Sequence, residues 1–202
     1  MSIKIIGLTG RTKAGGIAGA GKTTVALEIQ RITGAVIYGF SDPIYNMIKT
    51  GFGIDGRSPE WQDRERKRAP IEWLSTNVPY GICRDVSLRY LLEKLGTEWG
   101  REQICDDVWI RVAEQFVKQQ QPGIPIVIHD VRFKNEAEWI KSIGGVVVSV
   151  IRDDYEIIDA DNNHASNKSL PMSLIDYSLL NDRDIDWLRW IAYSLIKDIG
   201  FA

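Results

Sequence analysis

The chain has 202 residues, 44% of them hydrophobic and 26% charged, with a formal net charge of −2. That balance suits one well-cored domain and gives no general attraction to nucleic acid or to an anionic membrane, so any anion must be held by local clusters of arginine and lysine. No apolar run approaches the ~20 residues of a membrane span, the start reads as a strand and not a signal peptide, and only Cys83 and Cys105 are present, so a cytoplasmic protein without a disulfide scaffold is expected.

Ile3-Lys4-Ile5-Ile6-Gly7-Leu8-Thr9 reads as a buried strand ending at Gly10, with Arg11-Thr12-Lys13-Ala14-Gly15 as additional loop. Gly16-Ile17-Ala18-Gly19-Ala20-Gly21-Lys22-Thr23 then fits the phosphate-loop pattern of a glycine, four free residues and Gly-Lys-Thr. Glycines at 16, 19 and 21 let the backbone turn inward where a Cβ would block phosphate oxygens, leaving N–H groups aimed at an anion. Lys22 offers an ammonium to the β- and γ-phosphates. Thr23 offers a hydroxyl to Mg²⁺ at the start of a helix, through residues 24–29, whose dipole also favours negative charge. Gly16, Gly19, Ala20, Gly21, Lys22, Thr23 and Thr24 are therefore the residues expected to hold a polyphosphate.

Residues 35–40 form a short apolar strand, and Ser41-Asp42-Pro43 combines an N-cap residue with a proline suited to the first turn of a helix over residues 44–50. Gly51, Gly53 and Gly56 break that helix. A polar stretch over residues 55–70 holds a helical turn bearing Arg64, Arg66, Lys67 and Arg68. Ser87 caps a helix carrying Leu88, Leu91, Leu92 and Leu95, with Gly96 and Gly100 bracketing its end. Residues 107–119 read as an amphipathic helix with Val108, Val112, Phe116 and Val117 apolar. It leads into a buried strand over residues 124–130 that ends in Asp130. A helix over residues 135–143, a Gly144-Gly145 stop and a strand over residues 146–151 follow. Residues 152–171 are rich in Asp and Asn without a period and read as a long lid-like excursion. A strand near residues 177–180 and a helix over residues 184–199, with Ile185, Leu188, Ile191, Ala192, Leu195 and Ile196 inward, close the domain.

Alternating strands and helices imply an α/β fold with a parallel sheet, and ligands of such sheets lie at the carboxyl ends of the strands. Asp130 sits where it can help hold Mg²⁺ or its waters; an aspartate capping the next helix is the plainer alternative. Arg132, two residues on, has a planar guanidinium suited to bridge phosphoryl groups. Asp42, past the second strand, reads either as a ribose contact or as a helix cap. The basic cluster from Arg64 to Arg68 is a solvated face from which one or two groups reach phosphate. His129 and His164 have no second ligand at metal spacing, so no transition-metal site is expected.

Several blocks resemble the deoxynucleoside monophosphate kinases of tailed bacteriophages: Ile6-Gly7-Leu8-Thr9-Gly10, Gly19-Ala20-Gly21-Lys22-Thr23-Thr24-Val25-Ala26, and Phe40-Ser41-Asp42-Pro43. Asp63-Arg64-Glu65, Lys67, Ala69-Pro70-Ile71, Trp73-Leu74, Ser87-Leu88-Arg89 and Leu95-Gly96-Thr97-Glu98-Trp99-Gly100-Arg101 match the central block, and Asp130-Val131-Arg132-Phe133, Asn135-Glu136-Ala137 and Asn181 continue it. The resemblance implies a three-layer phosphate-loop kinase fold, with a parallel sheet of about five strands in a single domain over residues 1–202. An acceptor-binding insertion would span about residues 41–105 and a lid about residues 152–171.

It implies transfer of the ATP γ-phosphoryl group to a deoxynucleoside monophosphate, with Mg²⁺ held by Thr23 and Asp130. Lys22, Arg132 and Arg101 would be catalytic. Asn181 would join the phosphate loop in binding ATP, and Asp42, Lys67, Arg89, Trp99, Arg101 and Arg132 would bind the acceptor. Core packing is the alternative for Trp99. The partners implied are small-molecule nucleotides, with neither nucleic acid nor membrane, and a homodimer is compatible with the chain. Three departures stand out: the extra residues before the loop, Thr23 where the family often has aspartate, and Glu93 where it usually has glutamine. A dephospho-coenzyme A kinase, and a nucleotide-dependent switch that orders residues 55–70 for a partner, are the alternatives.

Overall fold

The computed structural model describes residues 4–12, 19–61, 63–75, 85–152 and 169–201. Gly16, Cys83 and His164, and most of the expected lid, lie outside them. The chain divides into two compact units: residues 1–40 with 114–202, and residues 41–113.

The first unit is built on a five-stranded sheet in the order β2-β3-β1-β4-β5. The strands are β1 (Ile5–Thr12), β2 (Val36–Tyr38), β3 (Ile126–Ile128), β4 (Val146–Arg152) and β5 (Tyr177–Leu180). Every pairing is parallel. Period-two alternation sends Ile6, Leu8, Val148 and Val150 to one face. There they join Val25, Ala26 and Ile29 of α1 (Lys22–Thr33) and Leu188, Ala192, Leu195 and Ile196 of α8 (Ile185–Asp198) in one core. Helix α7 (Lys134–Ser142) packs on β1 and β4 from the opposite face, burying Ala137 and Ile140. Helix–sheet–helix layering is thus a property of this unit, and both sheet faces are covered, as a parallel sheet requires.

The second unit contains α2 (Asp42–Phe52), α3 (Arg64–Arg68), α4 (Glu72–Ser75), α5 (Leu88–Glu93) and a π-helix over Lys94–Ile104. Helix α6 (Val108–Gln119) starts in this unit and ends in the first. Ser87 caps α5, its hydroxyl accepting the Tyr90 N–H at 3.1 Å.

Four expectations are corrected. The first strand does not stop at Gly10: β4 offers ladder partners to Arg11 and Thr12, opposite Ile151 and Arg152, so the strand runs two residues further and Arg152 belongs to β4, not to a loop. Gly96 and Gly100 do not end a helix. The chain continues through them in π-helical form because Gly100 lets the Trp109 ring approach, a Cβ there falling 2.5 Å from that ring. The Trp109 indole N–H then donates to the Gly96 carbonyl at 2.7 Å. On α6 the buried residues include Trp109, Ile110, Ala113 and Val117, whereas Val112 is exposed, so the inward stripe is rotated from the expected one. On α8, Ile185 is 53% exposed because it sits in the first turn, beyond the core reached by Leu188.

These placements predict that Leu8→Ala, at a fully buried position, costs about 2–5 kcal/mol in urea unfolding. Ile185→Ala is expected to stay within about 0.5 kcal/mol. A comparable loss at Ile185 would contradict the burial pattern.

Candidate active site

Gly19 and Gly21 have φ of 81° and 100°, left-handed values that favour glycine, and Gly21 is the N-cap of α1. A Cβ on Gly21 would fall 2.7 Å from Asn181 Nδ2 and 3.0 Å from Leu188 Cδ2. Helix α1 opens on Lys22, half-buried, followed by exposed Thr23 and half-buried Thr24. Gly21, the N-cap, offers no side chain to cap the helix. The described part of the loop is therefore braced from behind. Asn181, only 7% exposed, donates from Nδ2 to the Ala20 carbonyl at 2.9 Å, while its own N–H donates to Ile151 at 2.7 Å. Asn181 thus touches the backbone of the loop.

Asp130 lies two residues past Ile128, the β3 partner of Gly7, on the carboxyl edge of the sheet. It is buried, and Oδ1 accepts the Phe40 N–H at 2.7 Å. The helix-cap alternative for Asp130 does not hold. Glu136, inside α7 and 2% exposed, caps that helix by accepting the Arg132 and Phe133 N–H groups at 2.7 and 3.0 Å. Glu136 thereby fixes the backbone that carries Arg132, whose side chain is half-buried.

In the second unit, Ser41 is the N-cap of α2 without a side-chain cap bond, and Asp42 is the first helical residue. The Asp42 carboxylate is bonded to Arg57, whose guanidinium also donates to Ser41 Oγ at 3.2 Å and lies 4.0 Å over the Tyr45 ring. Nearby, the Lys49 ammonium bonds Asp55 at 2.6 Å and holds its carboxyl below the ordinary aspartate value. Lys67 lies half-buried in α3, beside Arg66, which pairs with Glu60 at 3.1 Å and sits 4.6 Å over Trp61. Arg89 pairs with Glu93 one turn on at 2.6 Å. Arg101 is buried in the π-helix and donates to the Asp106 carbonyl at 2.7 Å. Trp99 is 40% exposed, which removes core packing as its explanation.

Two contributors escaped the sequence reading. Arg57 sits 15 residues from the aspartate it pairs with, and no motif marks it. Glu136 was visible only as part of a matching block, not as the cap that orients Arg132. Among the described residues, no group of three His, Cys, Asp or Glu side chains is placed to hold a metal by itself, and no helix is long and apolar enough to cross a membrane.

A parallel α/β sheet whose first strand leads through left-handed glycines into Lys22-Thr23 at a helix start belongs to the phosphate-loop class. The family model for deoxynucleotide monophosphate kinase matches residues 67–191, and the chain belongs to that family. It is 29% identical over 137 residues to the deoxynucleoside-5'-monophosphate kinase of Escherichia phage T5, covering 64% of this chain but only 54% of that protein. The chain thus spans about half the length of the T5 relative. It is 25% identical over 180 residues to an Acanthamoeba polyphaga mimivirus protein provisionally named as a deoxynucleotide monophosphate kinase, covering 83% of this chain and 86% of that one. Among solved structures, the Mycobacterium tuberculosis APS kinase in complex with AMPPNP and APS aligns over 97% of this chain and 98% of its own, at 14% identity and a TM-score of 0.44.

The Asn181 brace is testable. Asn181→Ala leaves the Ala20 carbonyl buried without its donor and is expected to cost about 1–3 kcal/mol in urea unfolding. Asn181→Asp, which adds a charge beside that carbonyl, is expected to cost at least as much. Wild-type stability in both would show that the bond does not hold the loop.

Proposed function

We propose that the chain transfers the γ-phosphoryl group of ATP to a deoxynucleoside 5'-monophosphate, giving the diphosphate and ADP. The reading is carried by the family block over residues 67–191 standing in one chain with a Lys22-Thr23 phosphate loop that opens α1. The same block favours a deoxynucleotide acceptor over dephospho-coenzyme A.

The N–H groups past Gly21 and the Lys22 ammonium bind the donor's β- and γ-phosphates. Thr23 and Asp130 are hard oxygen donors, one an exposed hydroxyl and the other a buried carboxylate with one oxygen already bonded to Phe40. Two such groups suit Mg²⁺, which keeps several waters and shares the phosphate oxygens instead of needing a full protein cage. When bound, Mg²⁺ supplies neutralisation of the charge on those oxygens. Arg132 and Arg101 spread the charge that develops on the transferring group. Asp42, Lys67, Arg89 and Trp99 orient the acceptor. No general base is required, because a phosphate monoester loses its second proton near pH ~6 and then attacks as a dianion.

Incubation with ATP, Mg²⁺ and each deoxynucleoside monophosphate in turn, with dephospho-coenzyme A as control, is expected to release ADP only when a deoxynucleotide is present. ADP release with dephospho-coenzyme A alone, or without any acceptor, would overturn the assignment. Lys22→Ala is expected to cut turnover by at least about 100-fold with the circular dichroism spectrum unchanged. Arg132→Ala is expected to lower kcat far more than the affinity for ATP; a pure affinity loss would remove Arg132 from the transferring group.

A further inference from the structure

One buried tryptophan of the second unit does more than fill space. Trp109, in the first turn of α6, sits against the π-helix over Lys94–Ile104, and both lie within residues 41–113. Its indole N–H donates to the Gly96 carbonyl at 2.7 Å. Its ring occupies the space beside Gly100, where a Cβ would fall 2.5 Å from Cζ2 and 2.8 Å from Cε2. The same Cβ would stand 2.9 Å from the Leu95 carbonyl, five residues back. Gly96 thus gives the tryptophan an acceptor, and Gly100 gives it room.

The backbone between those glycines keeps a rare register. The Cys105 N–H donates to the Gly100 carbonyl five residues back at 3.1 Å, the π-helical spacing, where an α-helix would span four. Tertiary contacts must hold such a turn, and Trp109 supplies two of them. Arg101 follows Gly100 directly; it is buried, and its Nη1 donates to the Asp106 carbonyl at 2.7 Å, in the turn that leads into α6. Trp109 and Arg101 therefore bridge the same two segments from opposite sides. In an α-helical register Arg101 would swing about the helix axis by on the order of 100°, one residue's rotation, and lose that carbonyl. A packing role asks only for a buried ring with a partner for its N–H. It does not ask that the ring clasp the one turn that ends on a buried arginine.

We propose that Trp109 is a positioning residue for the phosphoryl transfer: by holding the π-helical turn from Gly96 to Gly100, it sets the direction of the Arg101 guanidinium. This rests on the reading of Arg101 as a group that spreads charge at the transferring phosphoryl. Trp109 reaches the reaction only through Arg101. A fixed cation stabilises a transition state only where the negative charge develops, and a misplacement of about 1 Å can cost on the order of 100-fold in rate.

A kinetic double-mutant cycle tests this, run with ATP, Mg²⁺ and the deoxynucleoside monophosphate that the wild type turns over fastest. Trp109→Phe keeps an aromatic ring and removes the N–H; it is expected to lower kcat by roughly 10- to 100-fold while KM for ATP stays within about twofold of wild type. In the Arg101→Ala background the same change is expected to cost less than about twofold in kcat, because the group it acts through is already gone. Gly100→Ala presses a methyl group on the ring from the helix side and is expected to give the same signature. Circular dichroism and urea unfolding follow the fold of each variant, and Gly100→Ala carries the cycle if Trp109→Phe does not fold. Losses that multiply in the double variant, or a loss of ATP affinity equal to the loss of kcat, would make Trp109 a purely structural residue and overturn the proposal, as would unchanged turnover in both single variants. If Arg101→Ala itself leaves kcat unchanged, the positioning role falls while the transfer reaction stands. If the wild type transfers phosphoryl to no deoxynucleotide, the proposed function fails and takes the positioning role with it.

Discussion

The candidate donor site depends on one constraint: the chain must turn into α1 through a left-handed Gly21 pressed against Asn181 and Leu188. That contact is why residue 21 is glycine on two counts, since any side chain would meet an unfavourable φ and a filled space. It joins the start of α1 to the end of β5, elements far apart in sequence, and gives the Ala20 carbonyl its donor in a buried setting. On the proposed reading, this brace is what holds the loop in place for an anion.

The arginines of the second unit show a related economy. Arg57 is bonded to Asp42, Arg89 to Glu93 and Arg101 to the Asp106 carbonyl. Pairs at partly exposed positions contribute about 0–1 kcal/mol. On the proposed reading, such pairs orient the guanidinium and still let it meet a phosphate dianion. Arg101 differs because its side chain is buried while Asp106 is largely exposed, so the fold has already desolvated this cation. On the proposed reading, that burial makes it the arginine of this unit best prepared to act on a developing negative charge.

Much of the first unit was readable from residue pattern, and the reasons are physical. The apolar runs of β1 and β4 are long, that of β3 is short but wholly β-branched, and the glycine-lysine-threonine sequence has few uses other than holding phosphate. The errors fell where tertiary partners overrule local preference. Gly10 looks like a strand end until β4 supplies Ile151 and Arg152 as ladder partners. Gly96 and Gly100 look like helix stops until the Trp109 ring is found to need the space above Gly100. Val112 looks like part of an apolar stripe, but the tryptophan three residues before it takes the inward position on α6. The position of Asp130 at the carboxyl edge of the sheet was legible from its place after a strand. The Arg57 partner of Asp42 was not, because no spacing rule links residues joined only by the fold.

The central claim is that the γ-phosphoryl group of ATP ends on the phosphate of a deoxynucleoside monophosphate. The most direct measurement is the fate of a label in the γ-position, followed by chromatographic separation of the products. The account predicts that the label appears in the deoxynucleoside diphosphate, that its appearance requires Mg²⁺, and that it matches ADP formation one for one. Label released only as inorganic phosphate, or retained in ATP in the presence of every deoxynucleoside monophosphate, would contradict it.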